Sequence, residues 1–264
     1  MIELYNHSTS VCAAKVRLAL KEKGVEWTSR YVDLLAGDQF APDYVKLNPR
    51  ATVPTLVHDG VPVIESTVIN EYIDEVFPDP PLKPATAAAR ATMRVWTKLV
   101  DEVIHAACTD ITYATQHRHT ILKMPPAERA AMLAATPNPE WRERKRRLVE
   151  EGFDAPFVQA SVRAHGKLLD DMEAALADAP WLAGETYSLA DIAVTPYVNR
   201  LYMFGLDWMW VGRRPRVTGW FDRIRARESY FDAVISWIVA ETSEAMMTNG
   251  QRNRDHYRAI LDAA

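Results

Sequence analysis

The stretch NHSTSVCAAKVRLAL, residues 6–20, places three hydroxyl side chains (Ser8, Thr9, Ser10) and a thiol (Cys12) where a polar turn runs into an amphipathic helix. Val16, Ala19 and Leu20 share one stripe of that helix, and Cys12 falls on or near it. The first turn of a helix offers N–H groups without intrahelical partners and a partial positive charge. A hydroxyl donor there stabilises a sulfur anion, and a thiol there ionises more readily. The junction is thus a plain N-cap, an anion site or a thiolate site. Cys12 also has an inert reading, as a small buried apolar residue.

Two other stretches have chemistry of their own. Glu65-Ser66 stands between a β-prone run and a helical one, so backbone N–H groups there could hold a carboxylate. Ser66 and Thr67 are also ordinary N-cap candidates, a role that stabilises by about 1 kcal/mol. Ser188 to Asp191, SLAD, is close to a capping box before an apolar run and is assigned to folding. His117 and His119 flank Arg118, and on a helix they point to different faces, so no metal pair is expected. Trp208 and Trp210 are expected in the core. His7 precedes the junction and could modulate its field, an exposed turn residue being the simpler reading. RERKRR, Arg142 to Arg147, sits among Glu140, Glu143, Glu150 and Glu151 and reads as a solvated helix face.

The elements that must position these groups follow from periodicity. Residues 2–6 alternate like a strand, residues 11–23 form a helix stopped by Gly24, and Trp27 to Leu34 is β-rich. Strand, helix and strand predict a parallel βαβ unit. Pro42, Pro49, Pro54 and Pro62 interrupt the next segment. Within it, TLVHDGVPVIE is a hairpin turning at Asp59-Gly60. Val68, Ile69, Tyr72, Ile73 and Val76 then keep helical spacing. PDPPLKPATAAARA, Pro78 to Ala91, reads as a semi-rigid connector, and everything beyond it is helical.

Composition bounds the class. The chain has 264 residues, 48% apolar and 25% charged, with a net charge of −4 and pI near 6.0. That is a globular profile with no global pull toward nucleic acid. Cys12 and Cys108 are too few for a disulfide framework, which favours a reducing compartment. No apolar run approaches the ~18 residues of a membrane span. MIELYN begins as a strand without a charged leader, and a cytoplasmic protein is expected.

In this order, STSVCAAKVRLALKEKG, QFAPDYVKLNPRATVPTLV, VIESTVINEYIDEVFP and WLAGETYSLADIAVTPYV resemble the glutathione transferase superfamily. The resemblance implies a thioredoxin-like βαβ-ββα domain over residues 1–79, a linker over 80–90 and an all-helical bundle over 91–264. It implies glutathione as co-substrate and a homodimer. The Val53-Pro54 bond is expected to be cis, with the Val53 backbone pairing with the cysteinyl part of glutathione. Glu65 and Ser66 are implied to hold the γ-glutamyl end, and Gln39 to be a further contact.

Aligned on KVRLAL, Ser10 falls where serine-type members keep their catalytic serine, and Cys12 falls two residues on. S-x-C there resembles the zeta and tetrachlorohydroquinone dehalogenase types, whereas ESTVINEYIDEVFP and MRVWTKLVDEV resemble glutathione-dependent β-aryl etherases. The implied activity is attack of the glutathione thiolate on an aromatic or ether electrophile, with release of a phenol from a β-aryl ether. A cysteine-dependent isomerase or reductive dehalogenase, and a non-catalytic glutathione binder, are the alternatives. Candidates for the electrophile site are His105, Tyr113, Tyr197 and Tyr202. Asp101 lies where some members contact glutathione from the partner subunit, but as a helix-face acid it is read first as structural. The excess helical length, residues 115–156, is a lid or a surface hairpin.

Overall fold

The computed structural model describes residues 1–34 and 36–263. Strands β1 (Ile2–Asn6), β2 (Thr28–Tyr31), β3 (Thr55–His58) and β4 (Val61–Ile64) form one sheet in the order β2-β1-β3-β4. β1 and β2 run parallel, with Glu3 opposite Thr28 and Asn6 opposite Tyr31. β3 is antiparallel to both β1 and β4. Asp59 and Gly60 both take positive φ, 49° and 84°, as a two-residue hairpin turn requires. β2 is shorter than its β-rich run because it pairs only with β1, which ends at Asn6.

Helices α1 (Val11–Glu22), α2 (Pro42–Leu47) and α3 (Ser66–Val76) complete this half. α2 was not expected from the sequence. Its proline stands at the first helical position, where a missing N–H costs nothing and the fixed φ suits a helix. α1 is buried along Ala13 to Leu20, including Lys15 and Arg17, not on one stripe alone. Leu4, Val16, Leu20, Leu56, Ile69 and Ile73 are fully enclosed in the core of the sheet, α1 and α3.

The remainder is helical: α4 (Ala87–Leu99), α5 (His105–Thr112), α6 (Arg118–Ile121), α7 (Pro126–Ala134), α8 (Pro139–Glu150), α9 (Pro156–Ala175), α10 (Leu189–Met203), α11 (Pro215–Arg225), α12 (Glu228–Tyr230), α13 (Ala240–Arg252) and α14 (Arg254–Asp262). π-helical turns at Val100–Ile104, Tyr113–His117 and Phe231–Ile235 break the long runs. The chain resolves into two compact units. One comprises Met1–Lys98, Ala175–Val198 and Arg216–Val239; the other comprises Leu99–Ala174, Asn199–Pro215 and Ala240–Ala264.

In the first unit the proline-rich connector is pinned. The buried Lys23 amine meets Asp74 at 2.5 Å and the Pro80 carbonyl at 2.6 Å. Asp74 accepts from the Leu82 N–H, and the Leu82 carbonyl accepts from the Leu189 N–H. Asp191 accepts from the Leu182 and Ser188 N–H groups, the Ser188 hydroxyl and the Trp220 indole, a folding role as SLAD implied.

In the second unit Asp110 is buried and takes two bonds from Arg144 and one from Ser161. Arg144 is therefore more than part of a solvated face. Its neighbours do follow that reading: Arg146 pairs with Glu143 and Glu150, and Arg147 with Glu151. Residues 115–156 contain α6, α7 and α8, and α7 packs on α8. α13 comes so close to Phe204 that a Cβ on Gly250 would overlap the Phe204 carbonyl.

Candidate active site

α1 begins as its sequence demands. Ser10 has extended backbone (φ −69°, ψ 119°), and its Oγ accepts the Ala13 N–H at 3.2 Å. The Ser10 N–H donates to the His7 carbonyl at 3.2 Å. A hydroxyl that caps by accepting keeps its own proton for another acceptor. Capping and thiolate stabilisation by Ser10 are therefore compatible. Cys12, the second helical residue, is partly exposed, and its Sγ lies 3.8 Å from the hydroxyl of Tyr197 on α10. Tyr197 is completely buried. Two residues singled out separately in the sequence are thus neighbours. His7 is not simply a turn residue; its ring stacks on Tyr31 at 5.4 Å and its Nδ1 lies 3.3 Å from the Thr9 hydroxyl.

The Val53–Pro54 peptide is cis, and Val53 is buried. Beneath it lies a polar knot that the sequence reading missed. The Tyr44 hydroxyl donates to the Thr52 carbonyl at 2.6 Å, and Asn48 Nδ2 donates to that carbonyl at 2.9 Å and to Thr55 Oγ1 at 3.0 Å. Burial pushes the Tyr44 phenol up, which keeps it a neutral donor. The signal was Asn48 itself, an amide among prolines able to hold a loop from inside.

Glu65, not Ser66 or Thr67, occupies the N-cap position of α3. Ser66 is the first helical residue and is buried, so the N-cap expectation for the two hydroxyl residues is corrected. Thr67 Oγ1 instead accepts from Lys15 at 2.9 Å. Glu65 has φ 69°, a left-handed conformation uncommon outside glycine, and its carboxylate pairs with Arg50 at 2.8 Å. Such strain concentrates at binding sites. Gln39 donates to the Leu34 carbonyl at 3.4 Å, while its Oε1 is buried and has no hydrogen-bond partner among the described residues.

Tyr113 sits in a π turn with its ring edge-on to His117 and Trp141, at 4.9 and 5.8 Å. Burial pushes its phenol up to about 12. Trp141 and Lys145 are one turn apart on α8, and the Lys145 amine lies over the Trp141 ring, its pKa lowered by burial. His105 is exposed at the start of α5, and Tyr202 is half-buried near the end of α10. Trp210 is in the core, as expected, and Trp208 is half-buried. Among the described residues, no group of three or more His, Cys, Asp or Glu side chains is disposed to hold a metal ion, and no helix is long and apolar enough to cross a membrane.

A four-stranded mixed sheet carrying a cis-proline loop, followed by a helical half, defines the class of thiol-handling folds to which glutathione transferases belong. Residues 9–76 match the model of the glutathione S-transferase N-terminal domain, and residues 123–228 that of the C-terminal domain. Protein LigF of Sphingobium sp. is 35% identical over 86% of this chain and 90% of its own. The tetrachloro-p-hydroquinone reductive dehalogenase of Sphingobium chlorophenolicum is 34% identical over 87% of this chain and 94% of its own. The crystal structure of β-etherase LigF superposes with a TM-score of 0.78, covering 88% of this chain and 98% of that one. The chain belongs to the glutathione S-transferase family, and glutathione is its co-substrate.

Proposed function

We propose that the protein is a glutathione-dependent β-aryl etherase. Glutathione's thiolate displaces the aryloxy group from the carbon next to a ketone. A C–S bond forms, the C–O bond breaks, and the electron pair leaves on the phenolate. The observation that carries this reading is the first turn of α1, where the Ser10 hydroxyl caps the helix and still has a proton to donate. Val53, Pro54, Gln39, Glu65 and Ser66 would bind the tripeptide: Val53 by backbone pairing, Glu65 at the γ-glutamyl ammonium, and Ser66 with the α3 N–H groups at the carboxylate. Residues 1–79 would form the glutathione-binding domain and 91–264 the helical domain. A cytoplasmic homodimer completes the reading, since glutathione is held reduced where cysteines stay as thiols.

The contact between Cys12 and Tyr197 favours a second reading. A Cys12 thiolate would attack the sulfur of a glutathionyl arene: the S–S bond forms, the C–S bond breaks with its electron pair on the ring carbon, that carbon takes a proton from water to give the reduced arene, and a protein–glutathione disulfide remains. A second glutathione would then resolve the disulfide by thiol exchange. Assay against a β-aryl ether ketone separates the two. Phenol release that matches glutathione consumption and survives Cys12→Ala is expected. Loss of turnover in Cys12→Ala with retention in Ser10→Ala would move the assignment to the dehalogenase type, and glutathione binding without turnover on any electrophile would leave only a binder.

A further inference from the structure

We infer that Arg17 is a positioning residue for the reactive thiol: its guanidinium fixes the backbone that presents Ser10 and supplies a positive charge that favours the sulfur anion. The inference rests on the reading that glutathione is activated at the first turn of α1.

Arg17 is 1% exposed. Its Nε donates to the Ala233 carbonyl at 2.8 Å, Nη1 to Asn6 Oδ1 at 3.0 Å and the His7 carbonyl at 3.3 Å, and Nη2 to the Ser8 carbonyl at 3.2 Å. The same His7 carbonyl receives the Ser10 N–H, so one oxygen joins the guanidinium to the capping residue. With the His7 and Ser8 carbonyls drawn to Arg17, their negative ends are turned toward a cation instead of an incoming anion. Trp237 covers the guanidinium at 4.3 Å and anchors its own N–H on the Asp232 carbonyl.

Every one of these acceptors is an uncharged oxygen. Burying a charge without a counter-charge is costly, and a fold needing only packing here would keep an apolar side chain. Burial lowers the Arg17 pKa to about 9, so the group stays protonated at neutral pH. Other charged groups on the neighbouring elements are engaged elsewhere. Asp232 pairs with Lys21, on which Glu228 also acts; Glu22 pairs with Arg227; and Lys15 donates to Thr67. Around the first turn itself stand His7, Cys12 and Tyr197. Among the described residues no acid pairs with Arg17, so its charge is neither neutralised nor well screened, and in a poorly polarisable interior it acts over several ångströms.

The test is a pH titration of thiolate ultraviolet absorbance for the glutathione complex minus the protein alone, in wild type, Arg17→Gln and Arg17→Lys. Arg17→Gln is expected to raise the bound thiol's pKa by about one unit, about tenfold less thiolate on the acid side, with the curves converging at alkaline pH. Arg17→Lys keeps the charge and should lie nearer wild type. An unmoved titration in Arg17→Gln, or identical shifts in Arg17→Gln and Arg17→Lys, would overturn the inference. Should Arg17→Gln not fold, Trp237→Ala opens the guanidinium to water; it should shift the titration the same way by less, and a curve superimposable on wild type overturns the inference. Calorimetry separates the two levels: no glutathione uptake by wild type defeats the site reading, whereas normal uptake with an unmoved titration defeats only the role of Arg17.

Discussion

Ser10 holds the Ala13 N–H with its oxygen and keeps its own proton to donate, so on the etherase reading cap and thiolate donor would be lost together on truncation. Ser10→Ala should cost about 1 kcal/mol of stability through the lost cap, and on the etherase reading about a hundredfold in phenol release through the lost donor. Thermal melting and steady-state kinetics measure the two separately. Ser10→Thr keeps cap and donor and should recover both. At Glu65 the two effects oppose each other. Its φ of 69° is strained for any side chain. Glu65→Gly should therefore stabilise the fold by about 1 kcal/mol while weakening glutathione binding through loss of the carboxylate. A melt and a calorimetric titration of one variant would show the opposite signs. Ser10, Cys12 and Glu65 stand out as candidates in the sequence because the chemistry they could do is local to a helix start. The enclosure of Arg17 is not legible there, because a charged side chain on an amphipathic helix looks solvent-facing until the segment carrying Ala233 and Trp237 is seen to cover it.

Among the elements, α9 carries a pH dependence. His165 is fully enclosed; its Nδ1 bonds the Ser161 carbonyl and its Nε2 has no hydrogen-bond partner among the described residues. Burial lowers its pKa from 6.5 to about 4. Between those values the unfolded chain binds a proton that the folded chain refuses, so stability falls as pH drops from 6.5 toward 4. The loss from this group reaches about 3 kcal/mol at most. His165→Gln should flatten that part of the stability profile, measured by denaturant unfolding across this range. Element legibility followed the same logic as the residues. The hairpin at Asp59-Gly60 and the SLAD helix start were readable from short spacing. α2 is not, because a proline reads as a breaker unless its position at the first helical turn is known. Arg144 looks solvated within its own helix, yet its partner Asp110 lies on another.

For the molecule as a whole, the order of the four strands with α1 and α3 is readable in the sequence and the grouping by compactness is not. Residues 175–198 and 216–239 cluster with the N-terminal unit. Nothing in their composition announces this, because the ties are long-range: Leu189 to Leu82, and Arg227 and Ser229 to Glu22. The connector carries such a tie as well. A proline-rich spacer would tolerate substitution at Leu82, but this one is 3% exposed and hydrogen-bonded at both its N–H and its carbonyl.

One bare backbone position in α13 decides whether the end of the chain can stay seated. Gly250 leaves no room for a methyl group beside the Phe204 carbonyl. In Gly250→Ala either α13 lifts or the turn after α10 deforms, and a loss of about 3 kcal/mol or more follows from forced overlap in a packed interior. Protease would then remove residues 240–263 ahead of the rest, and the Thr115–Tyr257 bond would go with them. A single hydrogen atom, serving as a side chain, thus acts as the latch that keeps the tail shut.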